Sequence, residues 1–417
     1  MSSSHVNSRP ILNCQICASP QMRPLLFLGY VPPVNTMPAV GERAVEQPAF
    51  PLELFRCEDC GLAQIGLEVS PEVLFPYSYP YLSGTTRILR DNFADLCREA
   101  SEKLGLASGD FVIDIGSNDG SLLIYFKDAG HRVLGIDPSR AAEVARGRGV
   151  ETLIDYFGAD VARRVRAERG PATVVTAANV FAHIGDVHGV AAGIVELLAP
   201  DGVFISESHY LLDLVETLQY DTIYHEHLRY YALGSLEALL SRHGLEIFHV
   251  KRVPTHGGSI RVYAARSGAR PVDPSVAARR AHEREFGISD GSALVAFGER
   301  VARSKLALYA LLATLKKPGV RIYGIGAPSR ASTLISYAGL DSGIVDAVME
   351  LTGSHKLDKY MPGTRIPVLD EAKLYADQPE YALLLSWHIA DELVGILRKN
   401  GYKGAFIVPL PEPQVIL

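Results

Sequence analysis

Residues 112–123 read VIDIGSNDGSLL, and this stretch narrows the possible folds most. An apolar run interrupted only by Asp114, the mark of a buried strand, ends in a turn holding Gly116 and Gly120, and a helix opens directly behind it. A strand feeding a helix through a tight glycine turn is the first unit of a parallel sheet, because parallel neighbours need a crossover connection. The next segments repeat the pattern. RVLGIDPS is a strand followed by the helical AAEVARGRG, and ATVVTAANVF (172–181) and GVFISESH (202–209) are further strands. SLEALLSRHG reads as a helix with Ser235 as its N-cap and Gly244 as its stop, and LEIFHVKRV and GSIRVYAAR close the sheet. The expectation is an α/β fold with a doubly wound, mainly parallel, Rossmann-like sheet.

At 417 residues the chain exceeds one ordinary core, and three domains are expected, over about 1–75, 76–270 and 271–417. The first is rich in proline and turn signals with short apolar runs, a small β module. The third begins with a helical stretch to about residue 318 and then returns to α/β texture in RIYGIGAPSRASTLISYAGL, IVDAVME, YALLLSW and AFIVPLP. A net charge of -6 gives no support for nucleic-acid binding. No apolar run approaches a membrane span, and the N-terminal residues carry no apolar signal core, so a cytoplasmic protein is expected.

Four of the five cysteines stand in two pairs, Cys14 and Cys17 in CQIC and Cys57 and Cys60 in CEDC. Each CxxC sets two thiolates on one turn, and two such turns supply the four sulfurs of a tetrahedral zinc site. With every ligand place filled by protein, such a Zn²⁺ holds the module together and leaves no position for substrate. Cys97, in the helical FADLCREA, reads as a small buried hydrophobe.

The glycine turn at 112–123 fits two cofactor classes. A dinucleotide wants a middle glycine that G-S-N-D-G lacks, and Asp114 and Asp119 would repel a pyrophosphate. The same acids suit the cationic amino-acid end of S-adenosylmethionine (SAM). Asp137, at the end of the following strand, can accept both hydroxyls of a ribose, and Asn179 ends a later strand where it can meet cofactor or backbone. A second turn, YGIGAPSR (323–330), reads either as a close-packed strand–helix turn or as a phosphate cradle with Arg330 as its cation.

DTIYHEHLRYY (221–231) crowds titratable groups at the carboxyl edge of the sheet, where α/β sites lie. It is not the HExxH of zinc hydrolases, which needs an i, i+4 pair on a helix. The alternatives are proton chemistry and a satisfied polar cluster. His225 shares the side of His227 if the stretch is extended and faces away if it is helical. Tyr230 and Tyr231 read as packing residues, and His256-Gly257-Gly258 as a turn between strands.

The combination of CxxC…CxxC, DIGSNDG, NVFAHI, YHEH and a C-terminal α/β region resembles the sugar C-methyltransferases that act on nucleotide-linked 4-keto-6-deoxyhexoses, usually at C-3. The likeness runs over essentially the whole chain. It implies methyl transfer from SAM to a carbon beside a ketone, after a base removes the C-3 proton to give an enolate. It places the catalytic groups on Tyr224, Glu226, His227 and His183, with His225 toward substrate. A further active-site tyrosine falls in YSYPYLSGTT, with Tyr79 favoured over Tyr77 and Tyr81. His227 is the expected base, and Tyr224 and His183 are expected at the keto oxygen. Two residues depart from the family pattern, Arg330 where a lysine is usual and His388 where Trp387 is usually followed by asparagine. Both lie in the domain expected to help hold the nucleotide sugar, on a dTDP or GDP carrier. O- or N-methylation of a small metabolite is the alternative activity. A non-catalytic binding module is a third reading, and a monomer is expected.

Overall fold

The computed structural model describes residues 7–75 and 83–417. In the N-terminal part, β2 (Met22–Val31), β3 (Phe50–Cys57) and β4 (Ala63–Ile65) form an antiparallel sheet, beside a small pairing of β1 (Ser8–Pro10) with β5 (Leu67–Val69). The helix Arg87–Leu104 follows. It buries Leu89, Phe93, Leu96, Cys97 and Ala100 on one face and stops at Gly105, which takes the left-handed conformation (φ 65°) that favours glycine.

The central strands are β6 (Phe111–Ile115), β7 (Arg132–Ile136), β8 (Thr152–Leu153), β9 (Ala172–Ala178) and β10 (Leu198–His209), then the short β11 (Arg229–Tyr230), then β12 (Leu245–Val253) and β13 (Ser259–Arg266). Seven of them form one sheet in the order β12-β13-β10-β9-β6-β7-β8, parallel from β10 to β8 and antiparallel at β12 and β13. All five residues of β6 are buried, as a central parallel strand covered on both faces requires. The strand order reverses between β6 and β9, which opens a crevice at their carboxyl ends.

Two long helices, Pro274–Phe286 and Ser292–Leu315, lead to a second seven-stranded sheet. Its strands are β14 (Ile322–Ile325), β15 (Ala347–Glu350), β16 (Lys359–Tyr360), β17 (Pro367–Asp370), β18 (Tyr381–Leu384), β19 (Ala405–Val408) and β20 (Gln414–Ile416), in the order β16-β17-β15-β14-β18-β19-β20. The middle five are parallel, and this sheet has its own reversal between β14 and β18.

Two details differ from the sequence reading. Ser235 is not the N-cap of its helix, which runs Leu233–Ser241 behind Ala232. Ser235 is the third helical residue, and its Oγ accepts the Ala232 N–H at 3.0 Å. More consequentially, Arg229 and Tyr230 form an edge strand of the N-terminal sheet, paired antiparallel with β4. Nothing in their local sequence marks that partner, which lies far away in the chain.

Candidate active site

The four paired cysteines meet as expected. Their sulfurs lie within 4.8 Å of one another, with Cys14 to Cys60 and Cys17 to Cys57 each at 3.4 Å. A tetrahedron of Zn–S bonds of about 2.3 Å has edges of about 3.8 Å, so the cage fits the ion. Gly61 makes the knuckle turn in the left-handed conformation (φ 73°) and donates its N–H to the Cys57 carbonyl.

At the crevice of the central sheet, Gly116 turns the chain off β6 at φ 67°, where a Cβ would come within 2.5 Å of Val180. Asp114 is 3% exposed and accepts the Thr176 hydroxyl at 2.6 Å. Burial pushes its carboxyl up to about 7, and the nearby Asp137 adds to the shift. A buried carboxylate of this kind is stabilised by an incoming cation. Asp137 takes the Asn118 N–H at 2.9 Å on one oxygen and the Ser139 N–H and hydroxyl on the other. Asn179 sits across the crevice at φ 59° and donates its N–H to Glu207 O. Asp119 is paired with Arg148 at 3.0 Å, which leaves Asp114 as the acid without a cationic partner in the loop. Gly120 has a packing reason, because a Cβ there would press on Ala145 and Val150 at 3.1 Å.

Residues 221–231 join three parts of the molecule. Asp221 accepts Arg330 through Nε and Nη2 at 2.8 and 2.7 Å and Trp387 Nε1–H at 2.8 Å, both from the C-terminal region. Thr333 donates its hydroxyl to Ile223 O at 2.9 Å. On the N-terminal side, Glu226 accepts Asn35 Nδ2–H at 2.8 Å, His225 Nε2 faces Pro51 O at 3.3 Å, and Ile65 N–H reaches Leu228 O at 3.0 Å. Buried Arg229 donates to the carbonyls of Phe181 and Ile184 and so fixes the turn that carries His183.

Between these anchors the imidazoles gather. Ring centroids lie 4.9 Å apart for His183 and His227, 5.8 Å for His227 and His209, and 6.1 Å for His209 and His256, with Tyr224 4.2 Å from His227. His227 Nδ1 faces Thr222 O at 2.9 Å and His183 Nδ1 faces Glu226 O at 2.7 Å. A carbonyl only accepts, so both rings carry their proton on Nδ1 and keep the Nε2 lone pair. Burial keeps the rings neutral. It pulls His227 down to about 3, with His183 adding to the shift, and His183 itself to about 4.

The structure thus brings Tyr224, His227 and His183 together and sets Asp114, Gly116, Asp137 and Asn179 around one crevice. With its Nδ1 on Glu226 O, neutral His183 presents an acceptor at Nε2. His225 lies apart from the cluster, against β3, with its ring 5.8 Å from Phe50. Arg330 is bound to Asp221 and stacked 4.9 Å from Trp387, so its charge is compensated and it is no free phosphate cation. Tyr79, with Tyr77 and Tyr81, lies outside the described residues. Tyr230 and Tyr231 are buried, as packing residues are. His209 and His256 were not picked out by sequence as members of this cluster. The one available signal for His209 was its place at the carboxyl end of a strand, and His256 was read as a turn between strands whose glycine pair could admit substrate.

Three family models match the chain: "Putative zinc binding domain" over residues 14–75, "Methyltransferase domain" over 86–250 and "C-methyltransferase C-terminal domain" over 254–411. Among curated proteins, the C-methyltransferase NovU of Streptomyces niveus is 36% identical over 413 residues, 98% of this chain and 97% of its own. Among solved structures, the PH0226 protein of Pyrococcus horikoshii aligns with a TM-score of 0.37 at 17% identity, over 47% of this chain and 98% of its own. Magnesium protoporphyrin IX methyltransferase of Synechocystis, with bound SAH, aligns at 0.35 and 18% identity, over 43% of this chain and 84% of its own. Both scores are low, and the fold rests on the strand order and the family models.

Proposed function

The chain belongs to the C-methyltransferase family and uses SAM, with a zinc-binding module at its N-terminal end; from that premise we propose that its substrate is a nucleotide-linked 4-keto-6-deoxyhexose, on a dTDP or GDP carrier, methylated at C-3. The observation that carries this reading is the pair of neutral imidazoles, His183 and His227, each with its Nδ1 proton held by a carbonyl and its Nε2 lone pair left over. Methylation of carbon needs a proton removed first, and a ketone beside the carbon is what makes that proton acidic enough for a histidine.

SAM, when bound, supplies an electrophilic methyl group. Asp114 holds the cationic end of the cofactor, Asp137 the ribose, and Gly116 with Asn179 shapes the crevice between β6 and β9. His227 accepts the C-3 proton at Nε2 while Thr222 O fixes its ring. The Tyr224 hydroxyl donates to the C-4 oxygen as charge builds there. His183 accepts from a substrate hydroxyl, and Glu226, anchored by Asn35, holds a second one. Tyr79 remains assigned to the site on family resemblance, and His225 and Arg330 support it from behind. The zinc module bears on the reaction through β4, which pairs with the strand that follows His227. Three domains, divided near residues 75 and 270, contribute to one site within a single chain, in keeping with a monomer. Among the described residues no helix is long and apolar enough to cross a membrane.

The test is product analysis. Incubation with SAM and a panel of dTDP- and GDP-linked 4-keto-6-deoxyhexoses is expected to yield a C-methylated sugar, with the methyl placed on C-3 by NMR. Methylation on oxygen or nitrogen, or no product from any 4-keto sugar, overturns the reading.

A further inference from the structure

We propose that His388 is a specificity-determining residue that pairs through its buried Nδ1 with a ring hydroxyl of the sugar. This deepens the reading above and rests on it.

His388 lies in the turn Trp387–Ile389, just past the carboxyl end of β18. The second sheet reverses its strand order between β14 and β18, and ligands of open α/β sheets bind outside the carboxyl ends at such a reversal. On the facing strand end, Gly326 adopts φ 77°, and a Cβ there would come within 3.0 Å of Ser386 Oγ. The two strand ends are therefore drawn close, with His388 at the rim.

The turn is held in place. Trp387 is fixed by its Nε1 bond to Asp221 and by Arg330 stacked on its face. His388, one residue on, has its ring perpendicular to the indole at 6.4 Å. On the other side stands His256, with an uncommon positive φ of 57° for a non-glycine residue. Its turn is tied down by Gln219, whose Nε2 donates to Gly257 O at 2.6 Å and whose Oε1 faces Arg330. One set of residues, Asp221, Arg330 and Gln219, thus fixes both the His256 turn and the His388 turn.

What is left over is the Nδ1 atom of His388, buried and without a hydrogen-bond partner. A buried polar atom in this state carries a desolvation penalty that a ligand can relieve. Burial, with Arg330 and His256 adding to it, draws the imidazole down to about 3, so it is neutral. A neutral imidazole presents either a lone pair or an N–H at this atom, and a hydroxyl is the group that satisfies both. A phosphate would be served by only one of the two forms. Discrimination by such a contact is strong, because the analogue lacking the hydroxyl leaves the imidazole unpaired.

The test uses the full chain, wild type and His388→Leu, with dTDP-4-keto-6-deoxyglucose and its 2-deoxy and 3-deoxy counterparts. Wild type is expected to lose about tenfold or more in kcat/KM on one of the two deoxy sugars. In His388→Leu that preference is expected to fall within about twofold of unity, the parent sugar's KM to rise by about tenfold, and the KM for SAM to stay within about twofold. His388→Asn, which keeps a hydrogen-bonding atom, is expected to recover part of the preference. A wild type indifferent to both hydroxyls, or a preference that survives in His388→Leu, overturns the assignment while leaving C-methylation of the sugar standing. If wild type neither methylates these sugars nor binds them by calorimetry, the reading of the substrate falls, and this inference with it.

Discussion

Replacing Asp221 by asparagine is the perturbation whose size the structure fixes best. Asp221 has no exposed surface, and its two oxygens receive three donors, Arg330 Nε and Nη2 and Trp387 Nε1. Asparagine keeps the shape, removes the charge and turns one acceptor into a donor facing donors. Arg330, 6% exposed, then keeps a buried positive charge without its carboxylate. Breaking a buried pair on one side costs about 3–5 kcal/mol. The stacking of Arg330 on Trp387 is present in both proteins and cancels in the comparison. The expected loss in unfolding free energy is therefore about 3–5 kcal/mol. Arg330→Met should lose a similar amount by stranding Asp221. The double variant Asp221→Asn/Arg330→Met removes both charges and should be more stable than either single one, since an apolar replacement of a buried pair is often close to neutral. Urea denaturation followed by tryptophan fluorescence reads this directly, because the chain's one tryptophan is Trp387 itself. A loss below about 1 kcal/mol in Asp221→Asn, or a double variant as unstable as the sum of the two, refutes the clamp.

Gly116→Ala should abolish measurable SAM binding by calorimetry, because its Cβ would meet Val180 at 2.5 Å and its φ of 67° disfavours a side chain. Val180→Ala should restore part of the affinity, and unaltered binding in Gly116→Ala would contradict the crevice geometry. Stability should fall between pH 7.5 and 5.5. His183 and His225, held near 4, and His227 and His388, near 3, stay neutral in the folded chain while the unfolded chain takes up protons below about 6.5. Their contribution is complete above that value and is lost toward the folded values, by up to about 1.4 kcal/mol per histidine per pH unit. Asp114, raised to about 7, protonates in the folded state over the same window and offsets one of them. Equal urea midpoints at the two pH values would show that these rings are not held neutral. Cys57→Ser should lower zinc content from about one per chain toward zero by elemental analysis. It should also cost activity, because Cys57 ends β3, β3 pairs with β4, and β4 pairs with Arg229–Tyr230 behind His227. Full activity without zinc would sever that link.

Much of the fold was legible because it is local. Strand, glycine turn and helix sit within a dozen residues at 112–123, and CxxC spacing carries its own geometry. What could not be read is what distant segments do to one another. His225 and His227 are two apart in sequence, yet β3 claims one and the cluster claims the other. Arg330 looks like a free cation in GAPSR until Asp221, more than a hundred residues earlier, is seen against it. The tautomer of His183, set by a carbonyl on another loop, has no trace in NVFAHI at all.

The most direct test of the central claim is solvent exchange in D₂O, with dTDP-4-keto-6-deoxyglucose and the demethylated cofactor product, so that no methyl transfer occurs. Proton removal by His227 predicts deuterium at C-3 with wild type, and none above the uncatalysed rate with His227→Asn while calorimetry still shows sugar binding. Wild-type exchange that persists undiminished in His227→Asn would contradict the assignment of His227 as the base.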